Sequence, residues 1–321
     1  MKKELSEIAF VFPGQGSQYV GMGQEIFDNY KEAREIYNTA DKVLGIPLTK
    51  LCFEGPENEL KLTVNTQPAI LTTSIAILSA LKKEGIAASC AAGHSLGEYS
   101  ALVAAGSISF SDALWLVRKR GQYMQDAVPQ GEGTMAAIIG MDVEKLIQLC
   151  AENGGLGIVE LANFNAPSQI VISGKTDAVK TVVEKAKIEG AKMALILQVS
   201  GPFHSSLLEP AADKLEKDLH RVDFKSASIR VIANVNAEEE IEPETIKINL
   251  KNQVFRAVLW QQSVERMINT GINTFIEVGP GKVLSGLIKK VDKNLEMYNI
   301  ENISTLTAAI NGLGGGSSIE Q

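Results

Sequence analysis

Gly93-His94-Ser95-Leu96-Gly97 sets one serine in the Gly-x-Ser-x-Gly frame that a sharp strand-to-helix turn requires. At such a turn the serine backbone is strained and its hydroxyl stands clear of the sheet. Flanking residues without side chains let helix and strand approach each other. The run from Leu96 to Gly106 is rich in helix formers, so a helix starting at Ser95 would aim its unpaired N–H groups at the reaction centre. Ser95 is therefore the candidate nucleophile. Three fixed positions in five residues also arise by chance, so the rest of the chain must supply the context.

Working outward, Ile8-Ala-Phe-Val-Phe12 is a continuous apolar run stopped by Pro13-Gly14, the pattern of a buried strand entering a tight loop. Helical patterns follow over about 24–44 and 67–83, then a short strand over 86–92 that ends at the serine turn. Its sequence, IAASCAA, has poor strand propensity, so the strand rests on the motif. Short strands alternating with long helices predict an α/β fold, a parallel sheet covered by helices on both sides.

Between Gly133 and Gln198 the rhythm changes. Strands are expected over 134–140, 156–163, 169–173 and 192–199, and helices over 142–153 and 175–190. The order βαββαβ is the split βαβ pattern of a ferredoxin-like unit. The expected organisation is a discontinuous large domain over 1–130 and 200–308, a small subdomain over 131–199, and a disordered Gly/Ser-rich tail over 309–321. The large domain resumes with a helix over 206–219 and a strand over 229–234. A substrate cleft belongs between the two domains.

Composition narrows the chemistry. A chain of 321 residues with net charge −7 argues against a surface built for a nucleic-acid backbone. No stretch approaches the roughly 18 to 20 apolar residues of a membrane span. MKKELSE lacks the apolar core of a secretory signal, so the expectation is a cytoplasmic protein without a membrane partner. Cys52, Cys90 and Cys150 are widely spaced without a CxxC pair, and the three histidines show no HExxH spacing, so neither disulfides nor a metal are expected.

A serine nucleophile needs a base and a group that fixes the base's tautomer. His204, just after Ser200-Gly201-Pro202-Phe203, is the best placed base, although a histidine satisfied by backbone at a helix start fits the same position. His94 adjoins Ser95 and suits shaping the turn, whereas His220 in a polar segment suits the surface. The loop Pro13 to Gln18 fails the dinucleotide fingerprint because Tyr19 stands where a third glycine should be. It suits instead a backbone N–H offered to a charged oxygen. In SDALWLVRKRGQYM, Arg118 and Lys119 suit a solvated helix face, while Arg120 falls on the apolar face. A buried arginine needs an anion. None is assignable within the chain, and an anionic substrate would supply one.

FPGQGSQ at 12–18, GHSLGEYSAL at 93–102, Arg120-Gly121, NFNAPSQIVISG at 163–174, VSGPFHSSLL at 199–208 and EVGPGKVL at 277–284 together resemble the malonyl-CoA:acyl carrier protein transacylases. The matches run in order over about residues 8 to 290. The resemblance implies an α/β-hydrolase-like domain with a ferredoxin-like insertion, and a ping-pong transfer of malonyl from malonyl-CoA to the phosphopantetheine thiol of an acyl carrier protein. It implies Ser95 as acylated nucleophile and His204 as its base, oriented by the backbone carbonyl at Gln253. Gln15 and Leu96 would donate the oxyanion-hole N–H groups. Arg120 would pair with the malonyl carboxylate, Gln67, Asn165 and His94 would line the substrate cleft, and Phe203 would disfavour a branched acyl chain. A monomer without a cofactor is expected. One departure is Arg256-Ala257-Val258-Leu259-Trp260, where the family commonly has a proline. Two other readings are a hydrolase and a non-catalytic carrier-docking module. A serine esterase would need a carboxylate dedicated to His204, which no motif marks, and an editing hydrolase would lack the carboxylate-binding arginine, whereas Arg120 is present. Intact Ser95 and His204 argue against the docking module.

Overall fold

Every side chain of Ile8–Phe12 (β1) is buried, as befits a strand covered on both faces. In the computed structural model, which describes residues 7–314, β1 is central to a six-stranded sheet. The remaining strands in chain order are Cys90–Gly93 (β2), Gly133–Ile139 (β3), Val159–Ala166 (β4), Gln169–Lys175 (β5), Met193–Ile196 (β6), Arg230–Ile232 (β7), Glu239–Glu240 (β8), Thr274–Val278 (β9) and Glu296–Ile300 (β10). The large sheet has the order β10-β9-β1-β2-β7-β8. Its pairs are parallel up to β7, and only β8 runs antiparallel. β2 is shorter than the sequence predicts, starting at Cys90, where pairing with Ala9 begins.

β3 to β6 form a second, wholly antiparallel sheet in the order β4-β5-β3-β6. Helices Val143–Glu152 and Thr176–Ile188 make its crossovers. Leu146, Leu149, Val179 and Val182 pack with Ala136, Ile138, Ile170 and Ile172 on one face. The alternation of strand side chains sends Met135 and Val171 to the other face, where they join the core of the large layer.

Several expected boundaries move for identifiable reasons. The helix predicted over 24–44 is two, Gln24–Asn29 and Lys31–Leu44, because Tyr30 is extended and its hydroxyl donates to Glu84. The segment after His204 begins as a short 3₁₀ turn, and the α-helix runs Glu209–Leu219. The tail expected to be disordered from 309 is corrected: helix Ile303–Gly312 is capped by Asn302 and buries Leu306 and Ala309. Residues 315–321 and the polar start 1–6 lie outside the described residues.

The helix Thr63–Lys83 begins four residues earlier than predicted and carries Pro68 inside it. By length and composition it is apolar enough to cross a membrane, which corrects the expectation that no stretch is. It is a buried helix at the centre of the large layer. Pro68 has no N–H for the Val64 carbonyl, and Arg118 Nη1 donates to that oxygen at 2.9 Å and also to Asn65. Arg118 is thus half-buried and tied to this helix rather than solvated, which corrects the sequence expectation.

Candidate active site

The turn after β2 depends on two close approaches. A Cβ on Gly93 would lie 1.9 Å from the Gly97 carbonyl carbon, and one on Gly97 would lie 2.1 Å from the Phe12 carbonyl oxygen. Ser95 takes φ 51°, a left-handed conformation that costs a non-glycine residue energy and persists only when its surroundings hold it. Asn234 does the holding. Its Oδ1 accepts from Ser95 N–H at 2.7 Å, and its Nδ2 donates to the Gly93 carbonyl at 2.7 Å. Because Ser95 is left-handed, the helix starts at Gly97 rather than at Ser95 as predicted.

Ser95 Oγ lies 2.8 Å from His204 Nε2, and His204 Nδ1 lies 2.8 Å from the Gln253 carbonyl oxygen. A carbonyl only accepts, so Nδ1 carries the proton and Nε2 is free to accept from the serine. His204 also has positive φ, at 59°. Burial, then the positive charge of Arg120, then His94 push the His204 imidazole down to about 3, which keeps the imidazole neutral.

Arg120 is 1% exposed. Its Nη2 donates to Ser95 Oγ at 3.0 Å and to Gln253 Oε1 at 2.8 Å, and its Nη1 donates to Gln67 Oε1 at 2.8 Å. These acceptors are neutral, so no carboxylate touches the guanidinium directly, and Glu98 acts on it only at a distance.

These groups open on a cavity of about 210 Å³ between the two sheets, lined among others by Gln15, Leu96, Asn165, Phe203, Met135 and Leu197. Among the described residues, the backbone N–H groups of Gln15 and Leu96 have no protein acceptor. The Gln15 side chain is held through Thr63 Oγ1 at 3.2 Å, and Thr63 meets Ser200 at 2.8 Å. His94 Nε2 lies 2.8 Å from Asn165 Oδ1, and its ring packs 5.7 Å from Trp260. Burial lowers the His94 imidazole from its ordinary value. His220 is exposed and remote from these contacts.

A family profile described as the acyl transferase domain matches residues 9–310. A malonyl CoA-acyl carrier protein transacylase of Bacillus subtilis (strain 168) is 51% identical over 312 residues, 96% of this chain and 98% of that one. This chain belongs to the malonyl-CoA:acyl carrier protein transacylase family. It is an acyltransferase. The crystal structure of the malonyl CoA-acyl carrier protein transacylase from Clostridium perfringens superposes with TM-score 0.93 at 44% identity, covering 96% of this chain and 97% of that one. Equally similar, with TM-score 0.93 and 42% identity over 95% of this chain and 99% of the other, is a malonyl-transacylase in complex with its type II PKS acyl-carrier protein.

The structure of this transacylase brings together every site residue read from the sequence: Gln15, Gln67, His94, Ser95, Leu96, Arg120, Asn165, Phe203 and His204 line one cavity, with Gln253 immediately behind. The segment 256–260, which departs from the family pattern, is well anchored. Val258 exchanges backbone hydrogen bonds with β4, and Leu259 N–H donates to Asn234 O. Sequence reasoning missed Asn234, which follows a short strand and belongs to no recognisable motif. It also missed Glu98 and Glu240, both fully buried. Glu98 lies inside the GHSLGEYSAL stretch, where a carboxylate three residues after the nucleophile was the available signal.

Proposed function

We propose that this transacylase moves malonyl from malonyl-CoA to the phosphopantetheine thiol of an acyl carrier protein, through an ester on Ser95. The observation that carries this reading is Arg120, a buried cation 3.0 Å from Ser95 Oγ whose acceptors are all neutral. A free carboxylate on the acyl chain is the anion it fits, since a planar guanidinium binds carboxylates in bidentate fashion. The names of the relatives, malonyl CoA-acyl carrier protein transacylases, and the carrier-protein complex of a structural neighbour support the same donor and acceptor.

In this mechanism His204 Nε2 takes the Ser95 proton as the serine attacks the thioester carbonyl. The tetrahedral oxyanion sits between the N–H groups of Gln15 and Leu96. His204 then protonates departing coenzyme A. In the second half-reaction His204 deprotonates the carrier thiol, which attacks the malonyl ester, and the proton returns to Ser95. Gln253 O acts in place of a triad carboxylate, fixing the tautomer without adding a negative charge. Phe203, buried on the cavity wall, would meet a substituent on the malonyl α-carbon.

The large sheet fits an α/β-hydrolase-like assignment, and the strand order β4-β5-β3-β6 with its two crossover helices fits a ferredoxin-like one. We further propose a cytoplasmic enzyme, active as a monomer because one chain supplies every group named. It would serve fatty-acid or polyketide assembly, which share this acyl chemistry. The test is intact-protein mass spectrometry after mixing with malonyl-CoA. A single malonyl adduct that a phosphopantetheinylated carrier protein discharges is expected; no adduct, or one lost to water as fast as to the carrier, ends the proposal.

A further inference from the structure

Behind the nucleophile lies a pair of buried carboxyls that the reaction above does not use. Glu98 and Glu240 are each 0% exposed, and the negative charge of Glu98 acts on the Glu240 carboxyl. On the far side of Glu98, Oε2 accepts from Asn234 N–H at 2.8 Å and from Gln253 Nε2 at 3.1 Å. On the far side of Glu240, Oε2 accepts from Asn249 Nδ2 at 2.9 Å. Among the described residues, both Oε1 atoms are buried and neither has a hydrogen-bond donor.

Donor and acceptor counting settles the rest. Arginine only donates, so the Gln253 oxygen must face Arg120, and its Nε2 must face acceptors. Those acceptors are the Ser95 carbonyl at 2.8 Å and Glu98 Oε2. Glu98 Oε2 receives two N–H donors and lies near the Arg120 charge, whereas Glu240 Oε2 receives one donor, so negative charge is better held on Glu98. Two facing carboxylates in a buried site cannot both be ionised, so one proton lies between the Oε1 atoms. We propose that Glu98 and Glu240 share a single proton, carried by Glu240, and that the Glu98 carboxylate is a positioning residue that fixes the Gln253 side chain and, through it, Arg120 and His204. Glu98 then lies behind Gln253 as a charge that acts on Arg120 at a distance, without occupying the place of a substrate carboxylate. Burial and the facing Glu98 hold the Glu240 carboxyl well above the usual range. Without the acceptor at Glu98 Oε2, the Gln253 amide is free to turn and present N–H groups to Arg120, displacing the guanidinium from Ser95.

The substrate part of the test rests on the malonyl reading of Arg120; the spectroscopic part does not. Glu240→Gln places a permanent N–H where the shared proton lies, whereas Glu240→Leu leaves Glu98 Oε1 without a donor, so that Glu98 takes up the proton itself and its Oε2 becomes a weaker, uncharged acceptor for Gln253. The full-length enzyme and both variants are assayed with malonyl-CoA and acetyl-CoA. Infrared spectra with carbon-13-labelled glutamate record the C=O stretch of a protonated carboxyl near neutral pH. Wild type is expected to show that band. Glu240→Gln should lose it while keeping kcat/KM for malonyl-CoA within about threefold. Glu240→Leu should raise KM for malonyl-CoA and lower the malonyl to acetyl ratio by about tenfold, the size of one misplaced charge-assisted hydrogen bond. No band that Glu240→Gln removes, a Gln variant as impaired as the Leu variant, or equal losses for both substrates in Glu240→Leu would each overturn the proposal. If Glu240→Leu does not fold, the band and the Gln variant decide. A wild type without preference for malonyl over acetyl would undo the Arg120 reading and leave the infrared result standing.

Discussion

Arg120 Nη2 and Ser95 Oγ are 3.0 Å apart, so the nucleophile's hydroxyl is held between a cation that donates to it and an imidazole that accepts from it. The same guanidinium that steadies the serine also lowers the basicity of His204. A substrate carboxylate that draws Arg120 to itself neutralises that field and frees the serine lone pair, so binding the correct acyl group prepares the base.

If Ser95 is the nucleophile, Ser95→Ala abolishes the malonyl adduct in intact-protein mass spectrometry. His204→Ala should slow both half-reactions by about 10²- to 10⁴-fold, the usual range for a general base, whereas exposed His220→Ala should change little. An adduct on the Ser95→Ala protein, or equal losses at the two histidines, would falsify these roles.

Arg120→Ala should cost malonyl transfer far more than acetyl transfer, because acetyl has no carboxylate to lose. A charge-assisted contact in a desolvated site is worth about 2 to 5 kcal/mol. Arg120→Lys should recover only part, since an ammonium cannot reproduce the planar fork. The measurement is the malonyl to acetyl ratio of kcat/KM; a ratio unchanged by Arg120→Ala removes Arg120 from substrate selection.

The pH profile follows from the environment of His204. The base works when neutral, and burial with Arg120 and His94 depresses its protonation to about 3. The free enzyme should therefore keep its kcat/KM between about pH 5 and 7, where an exposed histidine would titrate. Arg120→Ala removes a positive charge that lowers His204, so the acid limb should move to higher pH. Acetyl-CoA, whose binding does not require Arg120, is the substrate to use. A limb that stays in place, or moves to lower pH, contradicts the argument.

Two glycines predict opposite signs of stability change. Gly97→Ala would drive a Cβ into the Phe12 carbonyl, and overpacking of this kind costs about 1 to 3 kcal/mol. Gly286, inside helix Val283–Val291, has open space around its Cβ position, so Gly286→Ala should stabilise by about 0.5 to 1 kcal/mol. Thermal unfolding of both variants checks this; a Gly97→Ala protein as stable as wild type would mean that the turn tolerates a side chain.

Much of the fold was legible because its signals are local. The apolar run at 8–12, the glycine frame around Ser95 and the βαββαβ succession each lie within a short window. The site residues carried motif signals of the same kind. What escaped are relationships between distant segments. Arg118 looks like a solvent residue until Pro68 leaves the Val64 carbonyl unpaired, and the break at Tyr30 depends on Glu84. Asn234, Glu98 and Glu240 matter through hydrogen bonds to backbone and amide groups far away in sequence, and neither composition nor periodicity marks such partners.

The place of β1 between β2 and β9 bears on how the chain reaches this state during synthesis. Residues 8–12 leave the ribosome long before Thr274–Val278, and one edge of that strand waits for them. The antiparallel sheet, by contrast, pairs its four strands with one another within residues 133–196. Loop-closure entropy makes such distant pairing slow. A nascent chain therefore carries an open apolar strand edge until β9 emerges, the kind of surface that chaperones shield and that aggregates when they do not.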